Sequence, residues 1–151
     1  MTNEDVISTL NSLIETCKDG QNGFQEAAGS VERSDLKSFF YECSQQRAQF
    51  TGELQSLVRE LGGDPEQSGS VAAAIHRRWI DIKSAITGKD DTAILSECER
   101  GEDIAVNTYK TALNTELPAN VKTVVQNQYN TVQATHDKVR NLRDAGKAAT
   151  T

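Results

Sequence analysis

Two histidines, His76 and His136, are the only imidazoles in the chain, so metal or acid–base chemistry would have to be built around one of them. Di-metal centres in helical bundles take one Glu from each of two helices and a Glu-x-x-His from each of the other two. Anionic oxygens neutralise and bridge the ions, and the i, i+3 spacing aims both side chains into one layer. Neither histidine here lies three residues after a glutamate: Ala73 stands before His76 and Gln133 before His136. A glutamine carbonyl carries no charge and replaces a carboxylate poorly. The full ligand set is therefore missing from the sequence. What remains is a reduced set of Glu99, Glu102, Gln133 and His136, which would take iron, manganese or zinc; the leading expectation is no cofactor at all. Cys43, Cys98 and His136 fall about one turn from that level and are zinc-type donors, but a structural zinc usually needs four ligands.

Amphipathic helices must position these groups. The first is expected from about Glu4 to Val31, with Ile7, Leu10, Leu13, Ile14, Cys17, Phe24, Ala28 and Val31 at mostly three- and four-residue steps. Ser34 is the expected N-cap of a second helix, whose stripe runs Leu36, Phe40, Cys43, Arg47, Phe50, Leu54, Leu57 and Leu61. Gly62-Gly63 and Asp64-Pro65 stop it. Val71, Ile75, Trp79, Ile82 and Ile86 predict a shorter helix over about 70–87. A third long helix runs from about Asp91 to Glu116, burying Ile94, Cys98, Ala105, Tyr109 and Ala112. Pro118 opens a fourth, with Val121, Val125, Gln128, Val132, Val139 and Leu142 inward, expected to end near Ala145 and leave a flexible tail over 147–151.

Connection lengths set the topology. Short links join helices one and two, and three and four, so each pair is an antiparallel hairpin. The long segment between the hairpins can travel the bundle's height at about 1.5 Å per helical residue. Helices two and three would then run parallel, which is the one-crossover, ferritin-like arrangement. The expected fold is an all-α, ferritin-like four-helix bundle over residues 1–146, with the extra helix in its crossover; an up-down-up-down bundle with a decorated loop is the alternative.

The same periodicity populates the middle of the bundle with polar groups. At about 100° per residue, Arg47 falls at the centre of the second helix's apolar face and Glu102 at that of the third. Each lies roughly three turns into its helix, so parallel helices would set them level, and an Arg is long enough to reach a Glu across a diagonal. Gln128 is inward on the fourth helix and Gln21 on the inner face of the first; His136 lies at a stripe edge. The expected polar layer is thus Arg47, Glu102, Gln128 and Gln21, with an Arg47–Glu102 ion pair where di-metal proteins hold metal. Asp19 and Glu26 project outward on the first helix. His76-Arg77-Arg78 is a compact surface basic cluster beside Trp79, read as solvated charge flanking an aromatic anchor.

Composition narrows the function classes. The 151 residues suit one domain, and a net charge of −6 argues against nucleic acid, whose backbone is bound by displacing counterions with Lys and Arg. No run approaches the roughly eighteen apolar residues of a membrane span. The start, Met1-Thr-Asn-Glu-Asp, lacks a basic region before an apolar run, so no signal peptide is expected. Three cysteines without CxxC spacing fit reduced core thiols and a cytoplasmic location. No glycine loop follows a strand to cradle phosphate, and the serines lack a triad context.

Several local motifs occur in order along the chain: Lys18-Asp19-Gly20 then Gly23-Phe24, Gln46-Arg47, Gly62-Gly63-Asp64-Pro65, His76-Arg77-Arg78-Trp79, Glu99-Arg100-Gly101-Glu102, Leu117-Pro118 and His136-Asp137. Over nearly its full length the chain resembles a bacterial family of ferritin-like four-helix-bundle proteins known as a domain of unknown function. The resemblance implies the fold and a bacterial source but no activity, since fold does not imply function. The expectation is a non-enzymatic bundle with a structural or protein-interaction role, stress-related by loose family analogy. Its expected partner is a second copy of itself or another protein. A metal-binding or redox protein with a degenerate ferritin-type site is the alternative.

Overall fold

A threonine sets the start of the first helix. Thr2 accepts a hydrogen bond from the Asp5 N–H through its hydroxyl, and the Asp5 carboxylate accepts from the Thr2 N–H, both at 3.1 Å. This reciprocal cap satisfies two donors that the first turn would leave orphaned. The computed structural model describes residues 2–66 and 90–150, and among them it holds four helices and no strand. They are α1 (Asn3–Ser30), α2 (Ser34–Glu60), α3 (Asp91–Leu113) and α4 (Ala119–Thr150). The expected crossover helix over 70–87, with His76, Arg77, Arg78 and Trp79, lies outside the described residues.

Helix ends follow local chemistry, with several departures from expectation: α3 stops at Leu113 rather than near Glu116, and Pro118 stands just before α4 instead of inside it. Ser34 is the first residue of α2 rather than its cap; Arg33 holds the cap position and makes no side-chain cap bond. Capping there is done from another helix, because the Asp91 carboxylate accepts the Glu32 and Arg33 N–H groups at 2.8 and 3.1 Å. A full negative charge does at this helix start what a serine hydroxyl would do more weakly. Gly146 does not stop α4, which continues to Thr150. A Cβ on Gly146 would stand 2.6 Å from Thr92 Oγ1, so the glycine permits close approach to the first turn of α3.

The stop of α2 is as expected. Gly62 has φ +81°, its N–H reaches the Arg59 carbonyl, and the Gly63 N–H reaches the Val58 carbonyl. These are the paired bonds of a left-handed helix cap. A Gly62→Ala substitution should lower stability by about 1 kcal/mol, since the native backbone angle penalises a Cβ; urea denaturation would read the loss.

Side-chain pairings fix the directions. Asp91, at the head of α3, sits on the α1–α2 turn, and Tyr109, near its foot, meets Cys17. α2 and α3 therefore run parallel, and the up-down-up-down alternative does not hold. α1 packs against α2 and α3, and α4 against α3 and, more sparsely, α2. The α2/α3 and α1/α4 pairs are the diagonals. No helix among the described residues is long and apolar enough to cross a membrane.

The core is divided. One apolar cluster joins Val6–Cys17 of α1 to Phe50–Val58, Ala105–Ala112 and Val121–Val132. The other joins Phe24–Val31 to Leu36–Cys43, Ile94–Cys98 and Val139. Nearly every residue of the four sequence stripes is in one of them. Between them lies a polar level.

Candidate functional site

Arg47 of α2 and Glu102 of α3 meet across the diagonal at that level, with Nη2 2.5 Å from Oε2. Their side chains are 1% and 0% exposed. Space for the guanidinium comes from α1: a Cβ on Gly20 would lie 3.0 Å from Arg47 Nη1, and the Phe24 ring lies beneath it, 5.3 Å from centroid to guanidinium carbon. Burial pulls Arg47 toward neutrality, but the Glu102 carboxylate more than offsets this and holds it above its ordinary value, so it stays a cation. Arg47 Nε and Nη1 and Glu102 Oε1 have no hydrogen-bond partner among the described residues.

The two glutamines of the expected layer stand apart from this pair. Gln128 is buried, but it belongs to a second polar chain. Tyr109 donates its hydroxyl to Gln128 Oε1 at 2.7 Å, and Gln128 Nε2 donates to Glu53 Oε1 at 3.2 Å. Because the Tyr109 proton goes to Gln128, the Cys17 thiol, 3.1 Å from the hydroxyl, is left as the donor to it. Gln21 is only half-buried, and it contributes its backbone carbonyl, which accepts from Ser44 Oγ at 3.0 Å. Gly20 occupies the inward position, since a long side chain there would displace the guanidinium. Asp19, expected to face outward, is 8% exposed, whereas Glu26 is exposed.

The reduced metal set splits between two places. Glu102 lies in the core beside Arg47, while Glu99 and His136 face each other on the α3–α4 seam. Gln133 is committed to its own helix: its amide donates to Asp137 Oδ1 at 3.0 Å. His136 is wedged among carboxylates, with Nε2 2.6 Å from Asp103 Oδ1 and 4.0 Å from Glu99 Oε1, and Nδ1 3.1 Å from Asp137 Oδ1. The His136 ring, then the Gln133 amide, hold the Asp137 carboxyl below its usual range. Arg143 Nη1 pairs with Glu99 Oε2, and Arg140 lies 3.6 Å from Asp137. Asp103 and Arg143 escaped the sequence reading, and Asp137 entered it only within the His136-Asp137 motif. The available sign was Glu99-x-x-x-Asp103, two carboxylates one turn apart on a helix face.

A ferritin-type di-metal centre does not fit the middle of this bundle. The carboxylate at that level, Glu102, already faces a fixed cation, which packs against Gly20 and Phe24, and neither of these offers a ligand atom. The cysteine alternative does not assemble either, because His136 turns to the acidic seam while Cys43 and Cys98 are buried in the apolar cluster around Phe24 and Phe40. Burial pushes the thiols up, Cys17 to about 11 and Cys43 to about 12, with Arg47 pulling the other way in both; burial also raises Cys98 well above its ordinary value. Ellman's reagent at pH 8 should therefore leave the folded chain unreacted and label three thiols once it is unfolded. Prompt labelling of the native chain would contradict this burial.

A groove of about 400 Å³ opens between α2 and α4, lined by Phe39, Gln46, Asn130, Ala134 and Lys138 among others. Lys138 Nζ sits 4.5 Å from the centroid of the Phe39 ring, a cation–π contact that covers part of the aromatic. Tyr41, half exposed, is the large exposed hydrophobic among the described residues.

Comparison with solved structures gives the fold independently. The chain is similar to the two-domain protein from Anabaena variabilis ATCC 29413 that contains DJ-1/ThiJ/PfpI-like and ferritin-like domains. The TM-score is 0.79 at 15% identity, and the match covers 96% of this chain and 40% of that one, so the chain spans well under half of that protein's length. No curated protein matches the chain significantly. The family model described as "Domain of unknown function (DUF2383)" matches residues 5–115. With a ferritin-like bundle and a matched segment that takes in α1, α2, α3 and both partners of the central ion pair, the chain belongs to the DUF2383 family.

Proposed function

We propose that this domain is a non-enzymatic helical bundle with a structural or protein-interaction role, its central charge balanced by Arg47 rather than by metal ions. The observation that carries this reading is the buried Arg47–Glu102 pair. A di-metal centre needs several carboxylates at one level to offset about four positive charges; here the buried Glu102 carboxylate is already charge-balanced by the Arg47 guanidinium. Such a pair specifies which faces of two diagonal helices meet and adds little to stability over an apolar pair.

An interaction role is supported by the Anabaena protein, in which a ferritin-like domain shares a chain with a second domain. It is supported also by the sparse α2–α4 packing, which leaves a groove lined by Phe39, Gln46, Asn130 and Lys138 among others. The partner class we favour is protein, a second copy included.

Aerobic iron(II) titration of chelator-free, untagged protein tests the reading. We expect fewer than two irons per chain and no absorption of an oxo-bridged pair. Two irons per chain, lost in Glu102→Gln, would overturn it. Light scattering on the same sample reports self-association.

A further inference from the structure

We propose that Glu99, Asp103 and His136 form a mononuclear divalent-cation site, of the zinc class, that clamps α3 to α4 at the edge of the bundle. The site is separate from the central level and does not depend on the reading given above. Glu99 and Asp103 stand one turn apart on α3, and His136 comes from α4. One donor atom from each lies within 4.8 Å of the other two.

Carboxylate oxygens face both ring nitrogens of His136, yet a neutral imidazole has one N–H. If the Nδ1–H goes to Asp137, the Nε2 lone pair points at Asp103 Oδ1 from 2.6 Å, two acceptors in contact. A cation placed between Nε2, Asp103 and Glu99 relieves that contact. The Asp137 contact is also the arrangement by which a carboxylate fixes the tautomer and direction of a metal-binding imidazole.

Local burial suits such an ion. His136 and Glu99 are 12% and 13% exposed, so two donors are held in place, and Arg143 grips the other Glu99 oxygen and leaves Oε1 turned to His136. Asp103 is 58% exposed, which gives an entry side and room for water to complete the coordination. Tetrahedral donors at about 2.0 Å from zinc lie roughly 3.3 Å apart. The Nε2 distances of 2.6 and 4.0 Å straddle that spacing, and the exposed Asp103 carboxylate can make the adjustment. One imidazole and two carboxylates give zinc a mixed nitrogen and oxygen set with an open position. Arg143 and Arg140 nearby weaken the attraction, which argues for moderate affinity and against a tightly retained ion.

Isothermal titration of the whole chain with zinc chloride decides the matter. We expect one zinc per chain, with affinity at least tenfold weaker in His136→Ala and in Asp103→Asn, and unchanged in the exposed control Glu60→Gln. Zinc should also raise the melting temperature of the wild type and not of His136→Ala, whose metal-free melt shows whether it folds. Asp103→Asn, altering an exposed side chain, provides a second variant if His136→Ala is unstable. Uptake that needs Glu102 but not His136 or Asp103 would point to the central level and defeat this proposal. So would wild-type protein that takes up no zinc at millimolar concentration, or one whose uptake is the same in both seam variants.

Discussion

Arg47→Met should destabilise the bundle by about 3–5 kcal/mol, the cost typical of leaving one member of a buried ion pair without its partner. Glu102 is 0% exposed and its Oε2 has Arg47 as its hydrogen-bond partner. Removing the guanidinium leaves a carboxylate in a site closed to water, where it must either stay charged at high cost or take up a proton. A domain of this size is commonly stable by only about 5–15 kcal/mol, so the loss should be plain in urea denaturation at neutral pH. The companion variant matters as much. Arg47→Met with Glu102→Leu removes both charges together, and should return the midpoint close to wild type or above it, as apolar replacements of buried pairs often do. If the single and double variants are equally unstable, the packing of the arginine stem, rather than the charge, holds the level together. The double variant also tests specificity: with both charges gone, two diagonal apolar faces lose the contact that marks their register, and near-UV dichroism should weaken before stability does.

That pair was legible from sequence because it depends on two things a sequence carries, phase around a helix and distance along it. Arg47 interrupts a stripe otherwise made of Leu, Phe and Cys, and Glu102 interrupts one of Ile, Cys, Ala and Tyr; both lie at equal depth once the short links make the helices pair as hairpins. The same reasoning placed Gln128 inward but not its partner, since the Tyr109 hydroxyl that holds it comes from another helix whose rotation is set by packing. Gln21 shows the resolution of phase reasoning: one residue from Gly20 is about 100°, enough to move a side chain from the core to the flank. Asp103 was missed for a related reason. It lies at the edge of the α3 stripe, and whether an edge residue meets water or a neighbouring helix depends on the tilt of that neighbour. Gly146 looked like a stop because glycine commonly is one, whereas here the need for it comes from Thr92, more than fifty positions away in the chain. Local signals thus fixed the stripes and the glycine stop of α2, and tertiary contacts decided the seams and the capping of the α2 start.

Phe24→Ala should cost about 3–5 kcal/mol, the range for emptying a large aromatic site in a well-packed core. Phe24 is fully buried, stacks on Phe40 at 5.9 Å between centroids, and supports the Arg47 guanidinium from below. It belongs to the apolar cluster that includes Phe40 and also touches the charged level, so its removal acts on both. The cavity left would border Arg47 Nη1 and Nε, which lack hydrogen-bond partners among the described residues, and a hollow lined on one side by such donors can admit water where a wholly apolar one stays dry. Hydration would recover part of the loss, placing Phe24→Ala toward the lower end of the range. An aromatic-free but bulky replacement separates the contributions. Phe24→Leu keeps most of the volume and should cost less, the remainder reflecting the lost ring contacts with Phe40 and Arg47. Combining Phe24→Leu with Arg47→Met in a double-mutant cycle gives the coupling directly: a favourable interaction on the order of 1 kcal/mol is expected for a desolvated cation over a ring. Additive costs would mean that the ring serves the arginine only as filler, and that the geometry of the central level is set by Gly20 and Glu102 alone.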